Sequence, residues 1–489
     1  MRPTVLAIAA LLLLASAAAA IAAPEGQITW AAHVSIAPTM FDPAETSGTF
    51  TPFMTLYAIH DAVVKPMPGN PLAPCLAQAW SVSKDGLDDV KFSFERYRGN
   101  SASLFKSKVA RVEVVDLKRV RFHLKQAWPD FMTFYATSAT GAAYVVPKKY
   151  LERVGDEGFK KHPIGAGPYR FVAFKPGIEL TLEAFDGYWR KTPSVKTLVM
   201  RAVPDETTRL AALKRGEVDV AYSITGPLAE ELRRTPGLTL VPTIFTFNVW
   251  LLFTDQWDPR SPWHDRRVRL AANHAIDRQA INQAVYLGLG KVGASFIPSA
   301  MEYYWAPPAY TYDVARAKQL LAEAGYPNGF DAGELSGDMV YGSAIGEPVA
   351  GFLQAVGIRA RLRLIERTAF FKEQSEKKLR HVVQTQSGVP GNAATRIEQY
   401  AVSGGYFTYG TYPEIDGLFA EQASETNARA RQQILIKLQQ VIHDRAMFGP
   451  IIEPAFLTGV GPRLEVHGLN AMPNHPYSAP YEDLKLKAR

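Results

Sequence analysis

The chain has 489 residues, of which 47% are hydrophobic, and a formal net charge of +7. This length accommodates two or three domains, each with its own core. Lysine and arginine are scattered along the chain rather than gathered into one stripe, which argues against a nucleic-acid-binding surface. Because Cys75 is the sole cysteine, an intramolecular disulfide is excluded, and we expect its side chain to be a small buried group.

The N-terminus predicts export. Arg2 supplies a positive start, and residues 5–15 form an apolar run that is shorter than the ~20 residues needed to span a bilayer. Ala20-Ile21-Ala22 fits the small-residue rule for cleavage, so residues 1–22 are interpreted as a cleavable signal peptide. An uncleaved membrane anchor is the alternative. No cysteine follows the apolar run, so we expect no lipid anchor, and no later segment is apolar enough to cross a membrane.

Strands and helices alternate in the first half. Strands are predicted over 27–34, 178–184 and 195–203, a strand hairpin over 109–124 and a helix over 52–62. In the segment 204–221, Asp205 stands at a helix N-cap and Gly216 at the position after the helix. Val218 and Val220 then alternate with Asp219, which predicts a strand with Asp219 as its polar position.

The second half continues the alternation. Strands are predicted over 247–253, 358–365 and 450–460, and helices over 264–274, 278–286, 313–324 and 427–445. Asp277 and Asp313 occupy N-cap positions, while Gly325 and Pro327 stop the helix that Asp313 begins. The whole pattern indicates an α/β protein whose sheets are covered by helices.

Motifs for catalysis and cofactors are weak. Gly288-Leu-Gly290-Lys-Val-Gly293 matches a dinucleotide pattern, but a helix precedes it where a strand should stand, so we interpret it as a helix-ending loop. The ten histidines are dispersed and show no zinc spacing, and no G-x-S-x-G elbow occurs. A Ser/His/Asp triad assembled from distant residues stays open. We expect no cofactor and no metal.

Aromatic residues cluster in two segments that lack regular periodicity. Residues 301–312 (MEYYWAPPAYTY) and 406–412 (YFTYGTY) combine Tyr, Phe and Trp with proline or glycine. Large aromatic side chains in irregular segments suit a concave solute pocket, where rings pack on the ligand and polar tips orient it. Ordinary loop packing is the alternative for each ring.

An ordered set of motifs resembles the family 5 extracytoplasmic solute-binding proteins, which include oligopeptide-, dipeptide- and nickel-binding members. The segments that carry this resemblance are Leu76–Trp80, Ser83–Leu87, Asp89–Arg96, Gly165–Tyr169, Tyr188-Trp189, 204–221, Val268–Ile281 and Ala315–Phe330. Each motif is modest, but the ordered set spans nearly the whole mature chain.

The resemblance implies a two-lobe α/β periplasmic-binding-protein (Venus-flytrap) fold with an extra subdomain inserted in lobe I. The predicted boundaries are 1–22 for the signal peptide, 23–45, 165–248 and 457–489 for lobe I, 46–164 for the inserted subdomain and 249–456 for lobe II. It further implies a monomeric periplasmic subunit of an ABC importer. This subunit would close on a small organic solute, possibly peptide-like, and deliver it to the membrane permease without a chemical step.

Two departures from the family pattern matter. Leu87 runs straight into Asp88, where family members carry a further strand and turn, so the inserted subdomain is predicted to be shortened there and less stable. Peptide-binding members use an aspartate in a D-Y-P-D-P-like loop to pair with the peptide's amino group. The corresponding loop here, 384–396, has no acid and only Arg396 as a formal charge. We therefore expect a ligand that is neutral or anionic, or one whose cation rests on aromatic faces.

The candidate ligand-binding residues are Trp250, Trp305, Asn392, Arg396, Tyr406 and Tyr409. Two other functions stay open on the sequence. One is an exported hydrolase, which would need a nucleophile and base that converge in a cleft. The other is a solute sensor that presents its ligand to a receptor, which needs the same closing cleft as an importer subunit.

Overall fold

The computed structural model describes residues 23–45, 53–76, 86–99, 101–116, 119–137, 140–339, 342–388, 391–472 and 474–488. The predicted signal peptide and residues 77–85 of the early family motif lie outside the described residues. Within the described ranges, no helix has both the length and the apolar character needed to cross a membrane.

The strands, labelled in chain order, are β1 (Glu25–Ala32), β2 (Val64–Met67), β3 (Asn70–Pro74), β4 (Val109–Asp116), β5 (Arg119–Leu124), β6 (Tyr169–Lys175), β7 (Glu179–Ala184), β8 (Val195–Ala202), β9 (Val220–Tyr222), β10 (Thr239–Thr243), β11 (Asn248–Phe253), β12 (Lys291–Val292), β13 (Phe330–Asp338), β14 (Ile358–Ile365), β15 (Val382–Ser387), β16 (Phe448–Glu453), β17 (Phe456–Val460), β18 (Leu464–Val466) and β19 (Lys485–Leu486). The helices are α1 (Phe53–Ile59), α2 (Gly86–Glu95), α3 (Ala102–Lys108), α4 (Phe131–Tyr135), α5 (Lys148–Lys161), α6 (Glu206–Lys214), α7 (Gly226–Arg234), α8 (Arg266–Ala275), α9 (Arg278–Tyr286), α10 (Val314–Glu323), α11 (Glu347–Ala355), α12 (Arg367–Ser375), α13 (Ala393–Tyr400), α14 (Pro413–Ser424) and α15 (Ala428–Asp444).

Two large mixed sheets organise the molecule. The first has seven strands in the order β10-β17-β9-β1-β8-β7-β6, and the second has six in the order β12-β16-β11-β15-β13-β14. In the first sheet, β1 is parallel to both β8 and β9. In the second, β13 is parallel to both β14 and β15. We call the parts built on these sheets the first lobe and the second lobe.

The chain passes between the lobes twice. It leaves the first sheet after β10 and enters the second at β11 through residues 244–247. It returns from β16 to β17 through residues 454–455. Phe245 at the first crossing and Phe456 just after the second are in edge contact, with ring centroids 6.3 Å apart. The two connections are therefore short and adjacent, which is the arrangement of a hinge between two lobes.

Separate cores fill the lobes. The largest cluster packs sheet residues such as Trp30 and Leu198 of the first lobe against the inserted segment, including Phe134 and Tyr135. In the second lobe, Leu251 and Trp250 are neighbours on β11 and belong to different clusters, so the sheet is covered on both faces. This explains why β11 (NVWLLF) is apolar from Val249 to Phe253, since strands buried on both faces do not alternate.

The predicted helix signals are confirmed. Asp205, Asp277 and Asp313 each accept a hydrogen bond from a backbone N–H of the first turn of α6, α9 and α10, respectively. Gly216 has φ +70°, a left-handed conformation that suits glycine after a helix. The helix predicted to start at His264 instead starts at Arg266, because Asp265 caps it through the backbone N–H of Arg267 at 2.7 Å.

Some strand predictions were wrong in detail. The strand predicted from Val218 begins at Val220, and Asp219, its predicted polar position, directly precedes the strand and is 2% exposed. Its carboxylate accepts the backbone N–H of Thr29 at 2.9 Å and two guanidinium bonds from Arg463 at 2.7 and 2.8 Å. Asp219 thus joins the start of β9 to β1 and to the segment after β17, a role that local alternation does not reveal.

The inserted segment contains two small hairpins. β2 pairs with β3, and β4 pairs with β5 where the sequence predicted a strand hairpin. The chain then re-enters the first sheet through Gly165–Tyr169. A Cβ at Gly165 would lie 2.2 Å from the carbonyl oxygen of Ile59, so the close approach of two backbones requires glycine there.

The shortening near Leu87 remains a prediction about stability. In the structure, Leu87 and Asp88 lie inside α2, and the β4–β5 sheet has two strands. Short two-stranded sheets are marginal without further cover. We expect that restoring the family's segment between Leu87 and Asp88 raises the melting temperature in a thermal melt followed by circular dichroism. An unchanged or lower melting temperature would contradict the predicted loss of stability.

Cys75 is buried as predicted, with 2% of its surface exposed. Burial raises the pKa of its thiol to about 12, so the thiol stays protonated and unreactive near neutral pH.

Candidate functional site

The carboxyl ends of the central parallel strands mark the candidate site. In open α/β sheets, ligands bind beyond these ends, where neighbouring connections diverge. His33 follows β1 and Ser223 follows β9 in the first lobe. Asp338 ends β13 and Ser387 ends β15 in the second lobe, and these two strands are parallel neighbours. The side chains that follow Ser387 along the chain are the clearest candidates for ligand binding.

Arg396 lies in α13 and is 0% exposed. Its guanidinium carbon is 5.2 Å from the ring centroid of Trp250 and 5.8 Å from that of Tyr400, so the cation rests between two aromatic faces. Its Nη2 donates to the carbonyl of Ser387 at 3.1 Å. Among the described residues, its Nε and Nη1 find no acceptor.

Other buried arginines show how unusual this is. The side chains of Arg209, Arg269 and Arg278 are also buried, and each donates from Nε and from both Nη atoms to backbone carbonyls or an amide oxygen. A buried donor without an acceptor costs about 1–3 kcal/mol. Within the described part of the chain, Arg396 is therefore the buried arginine whose guanidinium is left incompletely bonded.

The electrostatics of Arg396 lead to the same conclusion. Burial lowers the pKa of its guanidinium to about 10, with the Tyr400 hydroxyl acting in the opposite direction. No acid of the described residues forms an ion pair with it. A buried cation without an anion is costly, and a ligand carboxylate or phosphate would supply both the charge and the acceptors. The geometry can thus bind an anionic group.

Asn392 begins the same helix and faces the first lobe. Its side chain accepts the backbone N–H of Thr395, and Thr395 reciprocates in a capping box. Its Nδ2 donates to Asp130 at 2.6 Å, although Asp130 belongs to the inserted segment of the first lobe. The N-terminus of α13 therefore lies where the two lobes meet, and Arg396 is one helical turn further along.

The segment 384–396 is not one loop, contrary to the prediction. Gln384 to Ser387 complete β15, and Ala393 onward forms α13; residues 389–390 lie outside the described ranges. Polar strand residues hid the strand, because Gln, Thr and Ser in VVQTQS do not show an apolar pattern.

Acids do reach this segment from elsewhere. Gln386 Nε2 donates to the carboxylate of Asp338, which ends the neighbouring strand β13. Asp130 reaches Asn392 from 262 residues away in the chain. The segment itself contains no acid, as the sequence shows, and the fold brings these two carboxylates to it from other parts of the chain. Sequence reasoning missed both acids because β13 (FDAGELSGD) does not resemble a buried strand and Asp130 is remote in the chain.

The remaining predicted site residues lie apart from Arg396. Trp305 is half-buried beside His443, with ring centroids 5.9 Å apart. It lines a cavity of about 20 Å³ with Tyr310 and Phe448, too small for an organic solute. Tyr409 stacks beneath Lys377, whose Nζ is 5.6 Å from its ring centroid, while Tyr406 is 66% exposed. The structure brings Trp250, Asn392 and Arg396 together and leaves Trp305, Tyr406 and Tyr409 outside.

Two histidines that the sequence did not single out lie in the first lobe. His33 stacks on Tyr477 with ring centroids 6.0 Å apart, and His475 lies 5.6 Å from the same ring. Both nitrogens of His475 and Nδ1 of His33 have no hydrogen-bond partner among the described residues. Burial lowers the pKa of His475 to about 3, and burial followed by the charge of Arg209 lowers that of His33 to about 4. Both rings are therefore neutral at pH 7 and offer further polar atoms beyond β1.

The chain is similar in sequence to a known protein family and to several characterised relatives. The family described as bacterial extracellular solute-binding proteins, family 5 matches residues 86–407. The glutathione-binding protein GsiB of Salmonella choleraesuis is 29% identical over 324 residues. That alignment covers 60% of this chain and 60% of the relative, which is less than two thirds of its length. Heme-binding protein A of Haemophilus influenzae is 25% identical over 450 residues and 81% of each chain.

Solved structures share the fold over nearly the whole chain. The periplasmic binding protein DppA from Helicobacter pylori, in complex with the peptide STSA, has a TM-score of 0.74 at 20% identity and covers 95% of this chain and 99% of its own. HbpA2 from Haemophilus parasuis has a TM-score of 0.76 at 21% identity and covers 95% of this chain and 100% of its own.

The fold is therefore the two-lobe α/β fold of periplasmic binding proteins, and the predicted fold class is confirmed. The chain belongs to the bacterial extracellular solute-binding proteins of family 5, a family of binding proteins.

Proposed function

We propose that the protein is the periplasmic substrate-binding subunit of an ABC importer, and that it captures a small organic solute through an anionic group bound by Arg396. The observation that carries the proposal is the buried guanidinium of Arg396, which has one acceptor and no acid partner among the residues that the structure describes. A neutral ligand would leave this cation uncompensated. A cationic ligand group would find the faces of Trp250 and Tyr400 already covered by it.

Relatives support a broad ligand range rather than one solute. They include proteins named for glutathione and heme, and solved neighbours hold a peptide or mannopinic acid. Family members that bind such different molecules share the fold and differ in their pockets. For this chain we therefore propose the ligand class, an organic anion, from its own residues.

The remaining properties are proposals of the same kind. We propose export to the periplasm by removal of residues 1–22, a monomer in solution, delivery to permease subunits and no catalysed reaction. The proposed domain boundaries are those given by the sequence, with residues 23–45, 165–248 and 457–489 in the first lobe and 249–456 in the second. The crossings at 244–247 and 454–455 support a hinge near those limits.

A panel of carboxylic acids and their matching primary amides, including glutathione, tests the ligand class by differential scanning fluorimetry. A ligand that binds the folded state stabilises it by about 2.7 kcal/mol at a concentration of 100 times Kd. We expect at least one acid to raise the melting temperature while its amide does not. Equal shifts for acid and amide, or shifts confined to cationic solutes, would contradict the proposal.

A further inference from the structure

We propose that Asp130, Asn392 and Arg431 form an interlobe latch that stabilises the closed arrangement of the two lobes. The latch is independent of the identity of the solute, because none of its contacts involves Arg396 or a ligand. It therefore goes beyond the proposed function and would hold for a sensor as well as for an importer subunit.

The contacts of Asp130 are short and converge on one carboxylate. Oδ1 accepts from Asn392 Nδ2 at 2.6 Å and from Arg431 Nη1 at 2.9 Å, and Oδ2 accepts from Arg431 Nη2 at 2.7 Å. The pair with Arg431 is bidentate, the geometry in which arginine and carboxylate interact most strongly. The side chains of Arg431 and Asp130 are 4% and 12% exposed, so water screens the pair weakly.

The three residues come from opposite sides of the molecule. Asp130 directly precedes α4, whose Phe134 and Tyr135 belong to the core of the first lobe. Arg431 lies in α15, whose Leu435 and Leu438 belong to a core of the second lobe. Asn392 begins α13 on the same lobe as Arg431. These contacts form only when the lobes are together, and separating the lobes breaks them.

Arg431 is prepared to receive the carboxylate. Its Nε donates to Gln422 Oε1 at 3.0 Å, and its guanidinium carbon is 5.3 Å from the ring centroid of Tyr303. These second-lobe contacts hold the guanidinium in place and leave both Nη atoms for Asp130. An arginine held in advance loses less side-chain entropy when the ion pair forms.

The latch also connects closure to the anion site. Asn392 is the N-cap of α13, and Arg396 lies one turn along the same helix. When Asp130 binds Asn392, it fixes the start of the helix that carries Arg396. Because a ligand binds more tightly when its competent state is more populated, a latch that favours closure raises the apparent affinity for any solute.

Small-angle X-ray scattering of the protein stripped of bound solute tests the latch. We expect the ratio of open to closed molecules to be roughly tenfold or more higher in Asp130→Asn than in the wild type. Arg431→Gln, which breaks the same pair from the other lobe, is expected to produce the same shift. The double variant should open no further than Asp130→Asn, because each single variant already removes the Asp130–Arg431 ion pair.

Asp219→Asn is the matched control. Asp219 also forms a bidentate pair, with Arg463, whose side chain is 52% exposed, but both residues lie within the first lobe. Its scattering curve should match that of the wild type even if its melting temperature falls. The proposal is overturned if Asp130→Asn and Arg431→Gln scatter like the wild type, or if their shifts add in the double variant. Unchanged acid binding by Arg396 variants with an intact latch would overturn the proposed function alone.

Discussion

Replacing Arg396 by methionine is expected to stabilise the ligand-free protein and to abolish capture of an organic anion. Methionine fills a similar apolar volume between Trp250 and Tyr400 and removes two buried donor nitrogens, Nε and Nη1, that lack acceptors in the described parts of the chain. Replacing an uncompensated buried charge by an apolar group commonly stabilises a protein, here by about 1–3 kcal/mol. Urea denaturation followed by circular dichroism measures this gain.

Anion binding should move in the opposite direction. Removing one partner of a buried charge pair costs about 2–5 kcal/mol, so affinity for an acid that binds the wild type should fall roughly 30-fold or more. An arginine that served only the fold would give the reverse result, with lower stability and unchanged affinity.

Arg269→Met is the matched control for this prediction. Arg269 is buried to the same degree, but its guanidinium donates to the carbonyls of Trp263, His264, Arg445 and Ala446. Removing it leaves several buried carbonyls without donors, so we expect a loss of at least about 2 kcal/mol. If Arg396→Met and Arg269→Met destabilise the protein equally, Arg396 is a structural residue and the proposed anion site is wrong.

The largest loss of stability is expected for Asp61→Asn in the first lobe. Asp61 and Lys65 form an ion pair whose side chains are 0% and 3% exposed. The other carboxylate oxygen accepts from Trp189 Nε1 at 2.6 Å. Burial alone would lower the pKa of Lys65, but the charge of Asp61 outweighs it and the pKa is raised well above its ordinary value.

Asparagine keeps the shape of Asp61 but removes its charge. Its amide N–H₂ group would face the donors of Lys65 or Trp189, which then lose an acceptor. Breaking a buried pair from one side costs about 3–5 kcal/mol, which is a large part of the stability of an ordinary domain. Urea denaturation should show a lower midpoint with an unchanged slope. Glu376→Gln, which breaks the exposed pair with Lys378, should leave the unfolding curve unchanged. A loss below about 1 kcal/mol for Asp61→Asn would contradict the importance of the pair.

The elements that sequence reasoning predicted well were those with local signals. Asp205, Asp277 and Asp313 cap helices because a short polar side chain can reach the first turn without help from the rest of the fold. The strand 358–365 was predicted to the residue because it alternates and stands at the sheet edge. In contrast, β13 and β15 are central strands with polar residues, and burial by neighbouring elements rather than periodicity makes them strands.

The candidate site was predictable only in part. Arg396 and Trp250 were identified from residue type and from the resemblance, but nothing in the sequence indicated that the arginine would rest on the ring. Asp130 and Arg431 are 301 residues apart, so their pairing depends on how the lobes close. The exposed position of Tyr406 shows that composition alone cannot identify a binding residue. A high density of aromatic residues in a segment does not determine which rings face a cleft.

Native mass spectrometry of the protein purified from the periplasm, with Arg396→Met beside it, tests the central claim most directly. Capture of an organic anion by Arg396 predicts that the wild type carries one solute with a carboxylate or phosphate group. The variant, folded and at least as stable, should carry none. The account is contradicted if both proteins carry the same solute in the same proportion, or if the wild-type solute has no anionic group.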